Sequence, residues 1–472
     1  MSREPATLPW IAHPLREMLR LAWPVAVSTI SYSAMTLVDT LFVSWLGAAS
    51  VAGVGLAGVT GFTLLCFPLG LMQGVKVLVS QAVGAHRHEG IGAHLRAGLL
   101  VAVAMGLGIV VLAQVAAPLL DLLAPSREAG RLAGTWLRIR LLSAPVFLSF
   151  AALRETAYGA GDTRSPMIAS LLANLANIAL CALFVLGMDM GVAGAAWATV
   201  CANCVEAAVL LGARFDLVRQ ALGPAARGRR AQVAAVWSMG LPTGGQFLLE
   251  VGAFTLLTFL ISAMSEIEMA AHQIVLQVLH VAFLPAQAVA EAGAVLAGQA
   301  VGASRDDLIG GVARRALALA GGYAVLSTLG SFFGADLVLR AFTEDPDLIR
   351  EGVGLMHAAT LFLLTDAANM VARGVLRGTG DVGFAAIVGI VSAWCLTPPL
   401  TWLLGYHFAL GVRGAWLGLC AEIAVGAAIL GWRLWRGGWR SAAERSRATL
   451  HLGAHAPAAR AVAEPSAATP AP

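Results

Sequence analysis

Residues 236–261 read VWSMGLPTGGQFLLEVGAFTLLTFLI, a run of 26 residues with one ionisable side chain, Glu250, near its middle. As a helix rising about 1.5 Å per residue, the run is long enough to cross a hydrocarbon layer of ~30 Å. A carboxylate at that depth costs about 2.5–3.5 kcal/mol on insertion scales; it is retained where it faces a cavity, binds a cation or accepts a proton. An apolar span built around such an acid points to a cation-coupled membrane carrier.

The rest of the chain agrees with a bilayer as its solvent. Only 12% of its residues are charged and 58% are hydrophobic, with mean hydropathy +0.78, whereas soluble proteins carry about 25% charged residues. Twelve apolar runs lie near 22–45, 51–75, 97–120, 136–158, 167–187, 191–213, 236–263, 268–296, 316–339, 354–376, 384–404 and 411–432. All are expected to be helices, since an open strand cannot satisfy its backbone in lipid. Pro24, Pro68, Pro145, Pro242, Pro285 and Pro398 fall inside these runs and predict kinks or broken turns. The first twenty residues lack the apolar core of a cleavable signal, so span 1 serves for insertion.

Lys and Arg give the topology. With the N-terminus inside, 24 of the 31 fall on inner segments and 7 on outer ones, which sets both termini in the cytoplasm of a multi-pass inner-membrane protein. The net charge of +4 is therefore a topology signal and not a nucleic-acid footprint, and this includes the cluster at Arg227, Arg229 and Arg230.

The chain is duplicated. At a shift of 218 residues SQAVGA (80–85) meets GQAVGA (298–303); at 219 GAGD (159–162) meets GTGD (378–381); at 220 GVAGAAW (191–197) meets GVRGAW (411–416). Six spans per half give two parallel repeats with a substrate path between them. The expected organisation is an N-terminal lobe over 1–213, a linker over 214–235, a C-terminal lobe over 236–440 and a disordered Ala/Pro-rich cytoplasmic tail over 441–472.

Six acids within spans are singled out: Asp39, Glu206, Glu250, Glu291, Asp366 and Glu422. The halves do not reproduce them, which suggests that the lobes divide the labour. Burial favours the protonated form of a carboxyl, so such a group can bind H⁺ or exchange it for Na⁺. Glu250, Asp366, Asp39 and Glu291 are the cation-coupling candidates; Glu206 and Glu422 read as structural. Gln246 precedes Glu250 by four residues and shares its helix face. Asn174, Asn177 and Asn369 are further amides able to line a cavity or ligate Na⁺, and Tyr32 and Phe362 are aromatic candidates for its wall. His272 opens span 8 and reads as structural. The six cysteines sit in apolar runs, so Cys201 and Cys204, although spaced as C-x-x-C, read as packing residues. No GxxxxGK[ST] loop and no HExxH occur, and Lys76 is the single lysine. ATP-driven transport, an ATPase subunit, a bound cofactor and an enzymatic role are not expected.

Several segments resemble the multidrug and toxic compound extrusion (MATE) family, in its NorM-like branch. They are MTLVDT (35–40), SQAVGA (80–85), GAGDTR (159–164), Glu250, AAHQI (270–274), Thr365-Asp366 and RGVLRG (373–378). The resemblance covers about residues 14–435. It implies an all-α fold of twelve membrane helices in two six-helix bundles around a central cleft. It also implies alternating-access export of cationic amphipathic compounds, in exchange for Na⁺ or H⁺, by a monomer. By position Asp39 matches the acid of the N-terminal lobe; Glu250 and Asp366 match the cation site of the C-terminal lobe, as Na⁺ ligands if sodium is the coupling ion. Phe362 would wall that site. Glu291 departs from the pattern, which has a small or apolar residue there. A flippase for lipid-linked intermediates is the alternative of the same broad fold; the acidic character of the mid-membrane charges speaks against it.

Overall fold

The computed structural model describes residues 8–223 and 229–452. They form fifteen α-helices: α1 (Pro14–Ser44), α2 (Ala48–Gly84), α3 (His88–Leu123), α4 (Arg127–Leu141), α5 (Ala144–Gly159), α6 (Arg164–Cys181), α7 (Gly191–Ala213), α8 (Phe215–Leu222), α9 (Arg229–Ser262), α10 (Glu266–Gly302), α11 (Ile309–Phe342), α12 (Pro346–Gly378), α13 (Val382–Leu400), α14 (Gly411–Arg436) and α15 (Arg440–Leu452). Wide π-helical turns extend α6 through Ala182–Gly187 and α13 through Thr401–His407. Serine and aspartate caps begin several helices: Ser126 Oγ accepts from the Ala129 N–H, Ser265 Oγ from Glu268, and Asp345 Oδ1 from Asp347.

Among the described residues eleven helices are long and apolar enough to cross a bilayer; α4 and α5, bent by 50° at their junction, make a twelfth crossing together. Each expected span lies on one of them, and the helices run past the apolar windows at most ends because polar residues continue the hydrogen-bond ladder into the interface. The bend falls just before Pro145. The other five prolines singled out lie inside continuous helices, so none of them breaks its helix, although α13 passes into its π-helical turns three residues after Pro398.

The duplication is written into the backbone. His86 and Ser304, 218 residues apart, have φ of 53° and 57°; Gly161 and Gly380 have 86° and 90°; Asp189 and Ala409 have 51° and 52°. Each half pins its GxGD turn with the same ion pair, Asp162 to Arg214 at 2.9 Å and Asp381 to Arg433 at 2.7 Å.

Helices α1–α7 pack on one another and α9–α14 do likewise, while α2 against α9 and α10, and α1 against α10, form the seam between the groups. The seam is built from glycine. A Cβ on Gly70 would sit 2.7 Å from Gly244 Cα, and one on Gly74 would sit 2.7 Å from the Gly240 nitrogen. At the face where both described ends of the chain lie, Gly84 rests on the Gln299 carbonyl and Gly302 on the Gln81 carbonyl. The contact is reciprocal, as a twofold interface requires.

Two expectations about the chain's connections change. The region beyond Arg440, expected to be disordered, contains α15, whose Ala443 and Ser446 are fully buried. Ser446 donates to Gln81 Oε1 at 2.5 Å and Arg447 pairs with Asp306 at 2.7 Å. An amphipathic Ala-rich helix with that anchor does not stand out in an apolarity window. The expected linker holds α8 and the first turns of α9. Its residues 224–228, with Arg227, and the tail over 453–472 lie outside the described residues.

Candidate cation-coupling site

On α9, Gln246 and Glu250 are one turn apart, and the Gln246 amide donates to Glu250 Oε1 at 2.7 Å. From α12 the Arg373 guanidinium reaches the same carboxylate, 3.0 Å from Oε1 and 3.3 Å from Oε2. Arg377, a turn further on, donates to Gln246 Oε1 at 2.9 Å and to Gln73 Oε1 of α2 at 3.2 Å. A continuous chain of bonds thus runs from α9 through α12 to the other lobe.

Asp366 lies two turns before Arg373 on the same face of α12. It is 7% exposed and has no hydrogen-bond or ion-pair partner among the described residues. Arg373, Glu422 and Glu250 are its electrostatic neighbours. Glu422 of α14 accepts from the Ser392 hydroxyl at 2.8 Å. Asn369 donates to the Ile423 carbonyl at 3.2 Å, tying α12 to α14. The second lobe therefore gathers three carboxyls around one guanidinium, Arg373. No group of three or more His, Cys, Asp or Glu among the described residues is arranged to hold a metal ion.

Asp39 stands apart, in the first lobe, where it accepts from Thr199 Oγ1 at 3.1 Å and from the Cys181 thiol at 3.4 Å. Asn177 is fully buried. Asn174 donates to the Ser31 carbonyl at 2.8 Å and so holds α6 against α1. Tyr32 is 43% exposed. Phe362 packs edge-to-face on Trp416, ring centroids 6.0 Å apart, and joins the apolar core of the second lobe. The Trp416 indole N–H in turn donates to His272 Nδ1 at 3.1 Å.

Glu291 does not join Glu250 and Asp366. It is ion-paired with Lys76 across the seam, and the ammonium also lies 3.3 Å from Glu155. Arg154 completes the group, 3.0 Å from Glu155 Oε1. Two readings of the charges change accordingly. Glu155 is a further buried acid, 3% exposed, inside a span rather than in a loop. The charges inside the bundle are also not purely acidic, because Lys76, Arg154, Arg373 and Arg377 lie among them. Their nearness to the ends of the apolar windows made them look like loop charges; the i, i+7 spacing from Asp366 to Arg373 was the available signal.

The polar bonds that cross the seam run from the face of the termini, with Trp10 to Gln299 at 2.9 Å and Gln81 to the Gly378 carbonyl at 3.2 Å, up to Ser33 and His280 at 3.4 Å near mid-depth. Beyond that pair no polar bond joins the lobes among the described residues.

Comparison with known proteins fits this architecture. The sequence profile of the MatE family matches residues 24–183 and 242–403, one segment in each half. The chain is 30% identical to a probable multidrug resistance protein NorM of Pseudomonas syringae pv. tomato over 88% of its own length and 93% of the relative's. It is 31% identical to the Pseudomonas aeruginosa protein of the same name, covering 88% and 87%. Among solved structures it is similar to the eukaryotic MATE transporter AtDTX14, with TM-score 0.83 at 18% identity, covering 92% of this chain and 98% of that one. It is also similar to an outward-facing multidrug resistance MATE transporter, with TM-score 0.82 at 21% identity, covering 92% and 96%. With its two matched halves and its membrane-buried acids, the chain belongs to the MATE family of multidrug efflux transporters, a family of membrane carriers and not of enzymes.

Proposed function

We propose that the chain is a secondary active antiporter that exports cationic amphipathic compounds in exchange for H⁺ or Na⁺. The observation that carries this reading is Asp366, a buried carboxyl with no partner among the described residues, beside Glu250 and Glu422. Of the four basic groups inside the bundle, Lys76, Arg154 and Arg373 are tied to carboxylates. The groups left over are therefore mainly acidic, which suits a cationic cargo and disfavours a pyrophosphate-bearing lipid.

The Lys and Arg distribution supports cytoplasmic termini in a bacterial inner membrane. The joined half of the seam is then the cytoplasmic half, and the conformation faces outward. Cation uptake from outside weakens the hold on the cargo, the lobes rock, and the cation leaves inside. The membrane potential favours inward movement of that cation by about 2.3 kcal/mol per charge per 100 mV. A single chain suffices for this cycle.

The test is resistance to cationic dyes in a drug-sensitive bacterial host. Asp366→Asn and Glu250→Gln are expected to abolish resistance at undiminished membrane abundance. Full resistance from both variants rejects the role of the site.

A further inference from the structure

The exporter reading leaves open which ion drives it, and Arg373 bears on that choice. Both oxygens of Glu250 are engaged by donors of this chain, Oε1 by Gln246 and Arg373 and Oε2 by Arg373. A guanidinium does not lose its proton in a protein, so this partner stays charged through the whole cycle. Its side chain is only 16% exposed. The next turn of α12 is held by Arg377 bonded to Gln246 and Gln73, and the Arg373 arm itself is held by its contacts with both Glu250 oxygens.

A metal ion at this place needs several oxygens at once. Here both oxygens of one carboxylate already accept from a fixed positive charge, which also repels a second cation from the neighbourhood. A proton needs only one lone pair, and Asp366 offers a carboxyl that no donor occupies. The charged groups that face it are Glu250 from α9, Arg373 from its own helix and Glu422 from α14; Arg377 and, beyond it, Glu291 of α10 and Lys76 of α2 complete the surroundings.

Resting on the exporter reading, we infer that Arg373 is a tethered cation that takes the place of a coupling metal ion at Glu250, so that Asp366 carries the exchanged proton and transport is driven by protons and indifferent to sodium. A proton from the outer side adds to an Asp366 oxygen to give the neutral acid and displaces the cargo's positive charge. The same proton leaves on the inner side and restores the carboxylate. The Glu250–Arg373 pair is unchanged by either step. Arg373 is in this sense a positioning residue that determines ion specificity.

Two measurements on the full-length purified protein test this. In proteoliposomes ethidium flux is expected to follow an imposed pH gradient and to be the same in sodium and in choline. In detergent the native protein is expected to bind no ²²Na⁺, Arg373→Gln to gain binding, and Arg373→Lys, which keeps a tethered charge, to bind none. Native ²²Na⁺ binding, or ethidium flux driven by sodium without a pH gradient, overturns the inference while leaving the exporter reading intact. A folded Arg373→Gln protein that binds no sodium overturns it as well. Should Arg373→Gln fail to fold, the native binding result decides. If neither gradient moves ethidium, the exporter reading fails, and the ²²Na⁺ comparison still reports on the tether.

Discussion

Lys76 of the first lobe is ion-paired with Glu291 of the second, and the same ammonium touches Glu155 on its own side. The pair is the one salt bridge across the seam among the described residues, and it lines the same small cavity as Gly74. Removing the lysine leaves Glu291 without its ion-pair partner, while Glu155 keeps only Arg154. Lys76→Met is expected to destabilise the protein by about 3–5 kcal/mol, the usual cost of breaking a buried pair. It should also raise labelling of a cysteine placed at Ser80 by a thiol reagent added from the face of the termini. Unchanged melting and unchanged labelling would mean the bridge does not hold the lobes together.

Gly389 of α13 faces the acid site. A Cβ there would sit 2.5 Å from Glu250 Oε1 and would also press on the Gln246 amide. Gly389→Ala is expected to cost about 1–3 kcal/mol by overpacking and to lower ethidium flux, since the displaced carboxylate loses its register with Arg373. The readouts are thermal unfolding in detergent and flux in proteoliposomes; native values in both would place more slack around Glu250 than the geometry shows.

The ends of the chain act as straps on the lobes. Trp10 donates to Gln299 of the second lobe, and Ser446 of α15 donates to Gln81 of the first. Trp10→Phe and Ser446→Ala are each expected to lose about 1 kcal/mol, the net worth of one buried hydrogen bond. They should add nearly independently, because they share no residue and engage different helices, Gln299 of α10 and Gln81 of α2. A double variant no less stable than either single one would contradict this.

Asp162 lies in a turn outside the spans. Burial opposes its ionisation, but the Ser165 hydroxyl and N–H and the Arg214 guanidinium outweigh that and hold its carboxyl below the ordinary range. A carboxyl lowered in the folded state adds stability above its unfolded value of about 4, and this is lost as the pH falls through the folded value. Asp162→Asn is therefore expected to lower the melting temperature at neutral pH and to flatten the acid limb of stability against pH. An acid limb identical to the native one would assign that limb to other groups.

Much of this architecture was legible in the chain. Apolar runs mark the twelve crossings because lipid leaves the backbone no alternative, and the repeated SQAVGA and GQAVGA segments announce the two halves. Glu250, Gln246 and Asp366 were singled out because a polar group in an apolar window is conspicuous, and the i, i+4 spacing already put Gln246 beside Glu250. Lys76 and Glu291 are 215 residues apart, and nothing in a linear pattern sets the register of one lobe on the other. Arg373 and Arg377 were hidden differently: α12 continues to Gly378, beyond the point where the apolar run fades, so side chains inside the bundle resembled loop charges. Phe362 was singled out by its spacing from Asp366; that its ring packs edge-on against Trp416 could not be read from the chain, because the two are far apart in sequence.

The glycines where α2 meets α9 carry a mechanical implication. Most helix pairs interlock through side chains, and parting them means lifting each knob out of its socket. Gly70, Gly74, Gly240 and Gly244 offer nearly smooth ribbons of main chain instead. Such a surface behaves like a bearing, on which one lobe can roll over the other without first unpacking, so that resistance to the motion is concentrated in the few charged and hydrogen-bonded latches around it.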